Sequence, residues 1–333
     1  MPALNESTKT FARINRGYNQ VFQPNRLSIG LVAPLESYTR GPVPTMERYL
    51  ERVRLAEKAG FSAVWLRDVP FNVPSFGDAG QVFDPFVYLG FLAGQTERIA
   101  LGVSSLILPL RHPAHVAKAA ASVDQLAGGR LILGIASGDR PDEYPALNEN
   151  YENRGERFRD SFDYIRRMAD SAPAFENRYG QTNGEMDLLP KPMAGKIPML
   201  ITGGSQQTPQ WGARHSDGLI TYPRNIDDQA NAVRSWRNGI PGETGYSKPV
   251  MQSLYIDLLT EPNAPPQPIH LGFRSGIKFL KAYLQSLEEI GVNHVALNLR
   301  FNQANIEETL LYLAEDLLPE FPAKGHKIWP RKF

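Results

Sequence analysis

One stretch of the chain, residues 98–138, limits its fold more than any other. Two short apolar runs, Ile99–Leu108 and Leu131–Ala136, flank a segment, Ala114–Ala127, whose apolar residues recur at helical spacing. The pair Gly128–Gly129 follows that segment, where a helix is expected to end. A strand, a helix and a strand with short connections form a βαβ unit, which requires a parallel sheet and a right-handed crossover. Both strands are apolar at nearly every position, which predicts that both of their faces are buried.

The same alternation of strand and helix recurs along the chain. Eight runs are predicted as strands, each followed by a helix: Leu27–Ala33, Ala63–Leu66, Ile99–Leu108, Leu131–Ala136, Ile197–Thr202, Leu219–Tyr222, Val250–Leu259 and His294–Leu299. Eight such units favour one closed (β/α)8 barrel. The alternative is a doubly wound open sheet, which usually has fewer strands and a glycine fingerprint after its first strand. Pro34 follows the first strand here, without such a fingerprint, so we predict an α/β fold with a single (β/α)8 TIM barrel.

The rest of the chain is assigned around this barrel. We expect residues 1–26 to form an N-terminal extension packed outside the main fold, residues 27–320 the barrel, and residues 321–333 a C-terminal tail. The segment at about residues 171–197 has no clear period and contains several prolines and glycines. It is therefore predicted as an insertion after the fourth helix.

Composition excludes several classes of function. The formal net charge of +1 argues against nucleic-acid or anionic-membrane partners, and the absence of cysteine excludes disulfides and thiolate chemistry. Six histidines occur without HxH or HExxH spacing, so no metal site is predicted. Neither a signal peptide nor an apolar run of membrane length is visible, and we expect a cytoplasmic protein.

The sharpest local signal for a binding site follows the fifth predicted strand. Gly203, Gly204 and Ser205 stand between that strand and a short helix predicted to start at the next residue and to end at position 215. Glycines allow close approach of a phosphate, and a helix start offers free N–H groups and a positive dipole end. Thr208 adds a second hydroxyl, and Arg157 is a candidate basic partner from the preceding helix. The alternatives are a plain glycine turn with a serine cap and a solvated arginine.

Other polar residues at the predicted strand ends are candidates for the site, because a barrel carries its chemistry there. Asp68 can act as a base, as a hydrogen-bond acceptor or as the partner of Arg67. Ser104 and Ser105 either line the site or are satisfied by backbone groups. The complete set at the predicted barrel mouth is Glu36, Tyr38, Asp68, Ser104, Ser105, Ser137, Gly138, Asp139, Arg140, Gly203, Gly204, Ser205, Tyr222, Asp257, Asn298, Leu299 and Arg300.

Four motifs, in order, resemble the bacterial luciferase-like flavin monooxygenase superfamily. They are LPLRHP at 108–113, AAxxDQxxGGR at 120–130, LGxxxG at 133–138, and the run from PMLITGGS to ARHSDGL at 198–219. The resemblance extends over about residues 27–318 and is strongest to the branch of luciferase-type oxidoreductases.

This resemblance implies a (β/α)8 barrel with an insertion after the fourth helix, reduced FMN at the barrel mouth and, often, a homodimer. By position, Ser205 and Thr208 hold the FMN phosphate with Arg157, and Ser104–Ser105 falls where many members have a non-proline cis peptide against the flavin ring. The predicted cofactor-binding residues are Ser104, Ser105, Ser137, Arg157, Gly203, Gly204, Ser205, Thr208 and Tyr222. The predicted catalytic residues are Asp68 and Arg140.

The resemblance also leaves three activities open. The first is a two-component monooxygenase that uses reduced FMN and O₂ on a small organic substrate, with a separate NAD(P)H:flavin reductase as a candidate partner. The second is a deazaflavin-dependent dehydrogenase or reductase, and the third is a non-catalytic flavin-binding barrel. Residues 108–113 favour the FMN branch. Light-emitting members carry a histidine at the position of Asp68, and a carboxylate cannot replace a neutral imidazole, so light emission is not expected.

Overall fold

The computed structural model describes residues 10–39 and 41–325. Its strands are β1 (Ser28–Val32), β2 (Ala63–Leu66), β3 (Ala100–Ile107), β4 (Leu131–Ala136), β5 (Ala174–Asn177), β6 (Gly180–Asn183), β7 (Met199–Thr202), β8 (Gly218–Thr221), β9 (Val250–Leu258), β10 (Gln267–Ile269), β11 (Gly272–Ser275) and β12 (His294–Asn298). Its α-helices are α1 (Arg16–Val21), α2 (Tyr49–Ala59), α3 (Pro85–Ala93), α4 (Pro113–Leu126), α5 (Glu143–Ala146), α6 (Arg154–Arg167), α7 (Pro209–His215), α8 (Ile226–Asn238), α9 (Ile277–Glu289) and α10 (Ile306–Leu317).

Eight parallel strands close into a barrel in the order β1, β2, β3, β4, β7, β8, β9 and β12. The pairing of β12 with β1, from Ser28 opposite His294 to Val32 opposite Asn298, completes the ring. The predicted TIM barrel is thereby confirmed. Strand β9 continues beyond its neighbours, and β11 pairs with its last residues, which raises the wall of the barrel at the C-terminal end.

Segments outside the eight units have identifiable places. The hairpin of β5 and β6 lies within the segment predicted as an insertion. Residues 1–9 of the predicted extension and 326–333 of the predicted tail lie outside the described residues. In the ranges that the structure covers, no helix is long and apolar enough to cross a membrane.

The N-terminal segment closes the lower end of the barrel, so the expectation that it packs outside the fold is wrong for residues 11–22. Its buried apolar side chains pack against inward-facing strand residues; they are Phe11, Ile14, Tyr18, Val21 and Phe22. The Tyr18 hydroxyl donates to the carbonyl of Asp217, just before β8, and Asn15 donates to the carbonyl of Leu131. Small inward-facing residues such as Ala63 and Ala296 leave room for these rings. The segment therefore acts as a plug for one end of the barrel.

Replacing Gly17 with alanine is expected to lower the free energy of unfolding by about 1–3 kcal/mol, the usual cost of overpacking. A Cβ atom at Gly17 would lie 2.5 Å from the backbone oxygen of Arg130, so α1 would have to move away from β4. The matched control is Gly242→Ala in the short turn at residues 242–244, where a Cβ meets nothing within 4 Å. Because the backbone of Gly242 is not left-handed, the control is expected to be nearly neutral. Urea denaturation of both variants measures the difference, and equal stabilities would contradict the close packing of the plug.

A buried histidine connects the plug to the barrel interior. The indole N–H of Trp65 donates to Nε2 of His294 over 2.9 Å, so the proton of the neutral ring sits on Nδ1. Nδ1 lies 2.8 Å from Ser28 Oγ, which donates in turn to the carbonyl of Val21. Burial lowers the pKa of His294 to about 3. The ring is therefore held neutral and in one tautomer throughout the neutral pH range.

Candidate active site

The floor of the candidate site is formed by the C-terminal ends of β3 and β7. The peptide bond between Ser104 and Ser105 is cis, as the family resemblance implies for this position. The hydroxyl of Ser105 contacts that of Thr202 at the end of β7, two strands away in the sheet. Both serines are half-buried, so they border the mouth of the barrel instead of its packed interior.

Two other predicted residues lie beside this floor. Tyr222, at the end of β8, is 47% exposed, and its ring lies about 4.0 Å from the position a Cβ atom of Gly203 would take. Ser137 is buried, and its carbonyl accepts a hydrogen bond from the hydroxyl of Tyr144. The exposed tyrosine can contact a ligand at the mouth, whereas Ser137 contributes backbone and a buried side chain.

The turn after β7 has an unusual backbone. Gly203, Ser205 and Gln206 have φ angles of 53°, 44° and 60°, and left-handed backbone is costly for the latter two because they carry side chains. Successive residues in such turns direct their N–H groups to one side and create a concave anion site. Within the described residues, the N–H groups of Gly204, Ser205 and Gln206 have no protein acceptor. This turn is therefore a candidate site for an oxyanion.

The start of α6 packs against this turn. A Cβ atom at Gly155 would lie 2.8 Å from that of Gln206, and the Gln207 amide donates to the carbonyl of Gly155 over 2.7 Å. Helix α6 begins without a side-chain cap, and the buried donor Arg154 Nε has no hydrogen-bond partner in the described part of the chain. The uncapped N-terminus of a long helix thus meets the turn, and both features favour a negative group between them.

The two hydroxyls predicted to hold a phosphate differ in what they offer. Ser205 is buried and donates its hydroxyl to the carbonyl of Thr202 over 2.7 Å. Thr208 caps α7 by accepting from the N–H of Trp211, so its hydroxyl proton stays available to a ligand. Helix α7 starts at Pro209, later than predicted, because the left-handed backbone at Gln206 is incompatible with a helix there.

Arg157 is engaged by protein groups. Its Nη2 atom lies 2.5 Å from Glu149 Oε1 and 3.2 Å from the carbonyl of Pro109. One turn earlier on α6, Arg154 donates through Nη1 to the carbonyl of Tyr151 but leaves its buried Nε without a partner. The structure therefore offers Arg154 as a second candidate for the basic partner of a phosphate, a role that the sequence indicated only for Arg157.

Asp78 is the centre of a charged cluster at the opposite side of the mouth. Its Oδ1 accepts from the Tyr38 hydroxyl at 3.1 Å and from the N–H of Gly80 at 2.8 Å. Its Oδ2 lies 2.5 Å from Arg67 Nη1 and 2.9 Å from Arg300 Nη1. Burial alone would raise the pKa of Asp78, but Arg67, the Gly80 N–H and Arg300 lower it below its ordinary value. Asp78 is therefore a charged anchor for the loop after β2.

Arg140 holds the same loop from the end of β4. Its Nη2 donates to the carbonyl of Asp78 over 2.8 Å, and its guanidinium lies 4.2 Å from the centroid of the Phe76 ring. Arg300 donates to the neighbouring carbonyl of Gly77 over 2.8 Å. Hydrogen bonds from Arg140 and Arg300 thus fix the loop after β2 at the barrel mouth. Arg140, predicted as catalytic, is at the mouth as expected, while its chemical role stays a prediction.

Asp68 is fully engaged by protein donors. Its side chain is 1% exposed, and it accepts from Arg111 through both oxygens, at 3.1 and 2.8 Å, and from the N–H of Ile107 at 3.1 Å. Its cationic partner is therefore Arg111 and not Arg67. Arg111 also reaches Asp84, the cap of α3, at 2.9 Å. This geometry supports a role for Asp68 in positioning the end of β3, and the catalytic role stays a prediction.

Comparison with known proteins assigns the chain to a family. The family model for luciferase-like monooxygenases matches residues 21–243. The alkanal monooxygenase beta chain of Photorhabdus luminescens is 34% identical over 177 residues, which cover 51% of this chain and 53% of the relative. An F420-dependent hydroxymycolic acid dehydrogenase of Mycobacterium tuberculosis is 29% identical over 210 residues, covering 62% of this chain and 56% of the relative.

A solved structure shares the fold. An F420-dependent secondary alcohol dehydrogenase in complex with an F420-acetone adduct superposes with a TM-score of 0.72 at 17% identity, covering 88% of this chain and 98% of that chain. At this identity the likeness shows the fold alone. The match of the family model to most of the chain is more specific, and it establishes that the chain belongs to the luciferase-like monooxygenase family of oxidoreductases.

Proposed function

We propose that this protein binds reduced FMN at the barrel mouth and uses it with O₂ to oxygenate a small organic substrate. The observation that carries the proposal is the meeting of the turn at 203–206 with the uncapped start of α6. Both leave N–H groups without an acceptor in the described residues, and Gly155 packs against Gln206, which suits the phosphate of a nucleotide-like cofactor. The family membership supports the same assignment.

Each part of the mouth has a distinct task in this proposal. The N–H groups of 204–206, the hydroxyl of Thr208 and Arg154 would hold the phosphate, and Ser104 and Ser105 would support the ring. The cofactor, when bound, supplies the redox chemistry, and the protein supplies binding and orientation. The loop at 76–81, held by Arg140 and Arg300, would keep water from the reacting groups.

A deazaflavin-dependent dehydrogenase or reductase is the second candidate. The similarity to the F420-dependent hydroxymycolic acid dehydrogenase covers a larger share of this chain than the similarity to the alkanal monooxygenase does, 62% against 51%. The candidate phosphate site would serve either cofactor, because both carry a phosphate on a flexible chain attached to the ring system.

Anaerobic fluorescence titration with FMNH₂ and with reduced F420 tests both candidates. Saturable binding of FMNH₂, followed by incorporation of label from ¹⁸O₂ into an organic product, supports the monooxygenase. Binding of F420 alone, with unlabelled product, supports the dehydrogenase. Failure to bind either cofactor at high micromolar concentration overturns both.

Arg154→Gln is expected to weaken cofactor affinity about tenfold, or about 1.4 kcal/mol, as loss of one charge-assisted hydrogen bond does. Arg157→Gln is expected to change affinity less, because that guanidinium is already paired with Glu149. Arg234→Gln, an exposed position on α8, is the matched control. Titrating the three variants ranks the two arginines. A larger loss of cofactor affinity in Arg157→Gln would instead favour Arg157 as the basic partner of the phosphate, as the sequence indicates.

We also propose that a separate NAD(P)H:flavin reductase supplies the reduced FMN.

We propose in addition that the chain forms a homodimer through α3. Helix α3 reads PFVYLGFLA, without a charged residue, yet Val87 and Phe91 are 72% and 41% exposed. Apolar faces of this kind usually mark an interface. Val87→Glu is expected to convert dimer to monomer in sedimentation velocity, whereas Leu126→Glu, equally exposed at 69% on α4, leaves the dimer intact. A monomeric wild type would refute this interface.

A further inference from the structure

The barrel mouth carries a cluster of arginine side chains around Asp78. Three arginines contact this one residue: Arg67 and Arg300 through its carboxylate, and Arg140 through its backbone carbonyl. The side chains of Arg67 and Arg300 are 20% and 12% exposed, so solvent screens their charge only in part. The Asp78 carboxylate pairs with two of these guanidinium groups, and Glu143 and Asp139 are further acids that act on Arg140.

Two of these guanidinium groups have an N–H donor without an acceptor. Arg140 Nη1 and Arg300 Nε are buried from water and have no hydrogen-bond partner in the described residues. Their other donors hold adjacent carbonyls of one loop, those of Asp78 and Gly77, so the two side chains lie on the same short segment. A buried donor without an acceptor costs about 1–3 kcal/mol, which a bound oxygen atom would recover.

Glu143 is the acid that acts most strongly on Arg140, ahead of Asp139. Glu143 is 3% exposed, and its Oε1 also lacks a partner in the described chain. Burial raises the pKa of Glu143 to about 7, against the opposing effect of Arg140, so this carboxyl is partly neutral at physiological pH. Arg140 Nη1 therefore keeps a donor without an acceptor, although Glu143 and Asp139 act on its guanidinium.

Aromatic rings surround the same donors. The guanidinium of Arg140 lies 4.2 Å from the Phe76 centroid, and that of Arg300 lies 4.9 Å from the ring of Tyr38 and 5.3 Å from that of Phe301. Tyr255 packs on Phe301 at 5.3 Å. Such surroundings favour an apolar or aromatic body next to the anionic group.

We propose that the substrate is an organic acid with an apolar or aromatic body, whose carboxylate is bound by Arg140 Nη1 and Arg300 Nε. The acid would be a substrate because it would lie at the mouth beside the cofactor. In this respect the inference rests on the proposed function. The cofactor phosphate is assigned to the separate turn at 203–206, so the two anionic groups do not compete. Arginine suits this role because its planar group binds carboxylates in a fixed geometry.

Calorimetric titration of the cofactor-free protein with phenylacetate and with its neutral isostere phenylacetamide tests the proposal, in a buffer without carboxylate or phosphate. We expect phenylacetate to bind at least about tenfold more tightly, equivalent to about 1.4 kcal/mol. Arg140→Gln and Arg300→Gln are each expected to abolish this preference, and Arg234→Gln is expected to keep it.

Equal affinities for acid and amide, no binding of the acid up to ten millimolar, or a preference that survives in Arg140→Gln or in Arg300→Gln would each overturn the proposal. If the variants do not fold, the comparison of acid with amide on the wild type still decides. Because no cofactor is added, binding of the acid by a chain that binds neither flavin nor deazaflavin would uphold this site and refute the proposed function.

Discussion

Asp78→Ala is expected to lower the free energy of unfolding by about 3–5 kcal/mol, the range for removing one partner of a buried ion pair. The alanine leaves Arg67 and Arg300 without their shared carboxylate and the Tyr38 hydroxyl and Gly80 N–H without an acceptor. The residues around 76–81 would then lose their anchor, so we also expect the selective binding of phenylacetate to disappear. Urea denaturation and calorimetry measure the two effects.

A surface ion pair provides the control for this substitution. Asp163 pairs with Arg167 on α6 at 2.7 Å, with both side chains about half exposed. Asp163→Ala is expected to change stability by less than about 0.5 kcal/mol, because solvent screens exposed pairs. Similar losses in the two variants would show that the Asp78 cluster is as exposed to water as a surface pair, which contradicts the geometry described above.

The second large effect is a pH dependence of stability that originates in His294. The folded protein keeps this ring neutral down to about pH 3, whereas in the unfolded chain it takes up a proton below about pH 6.5. The unfolded state therefore binds more protons between these values, and stability falls as the pH falls. The slope for one proton is about 1.4 kcal/mol per pH unit.

His294→Gln isolates this contribution from that of the carboxylates. The amide can still accept from Trp65 and donate to Ser28, but it does not titrate. We expect the variant to be less stable than the wild type at pH 7.5 and to lose less stability between pH 6.5 and pH 4.5. Urea denaturation at four pH values gives the two slopes. Parallel slopes would mean that His294 is protonated in the folded protein.

The barrel could be predicted from the sequence because its signals are local. Each barrel strand is a short apolar run. Glycines such as Gly60 and Gly128–Gly129 mark where the preceding helices end. The plug could not be predicted in the same way. Phe11, Tyr18 and Phe22 are scattered in a polar segment, and only the small residues inside the barrel, far away in sequence, explain their burial.

The sequence indicates the residues of the candidate site that strand ends place at the mouth, but it does not indicate those that loops bring there. Gly203, Tyr222 and Arg140 follow strands, and Ser104 and Ser105 lie in the last half of β3, so topology alone brings them to one mouth. Asp78 lies in a loop without periodicity, and its partners come from three other loops. The choice between Arg157 and Arg154 depends on one helical turn and on Glu149, which a sequence pattern does not resolve.

We propose above all that a phosphate-bearing cofactor binds between the turn at 203–206 and the start of α6, with its ring toward Ser104 and Ser105. A crystal structure of the protein soaked anaerobically with reduced FMN, or with F420, tests this most directly. We expect phosphate oxygens within hydrogen-bond distance of the backbone N–H groups at 204–206 and of Arg154. A cofactor found with its phosphate at any other place on the barrel would contradict it.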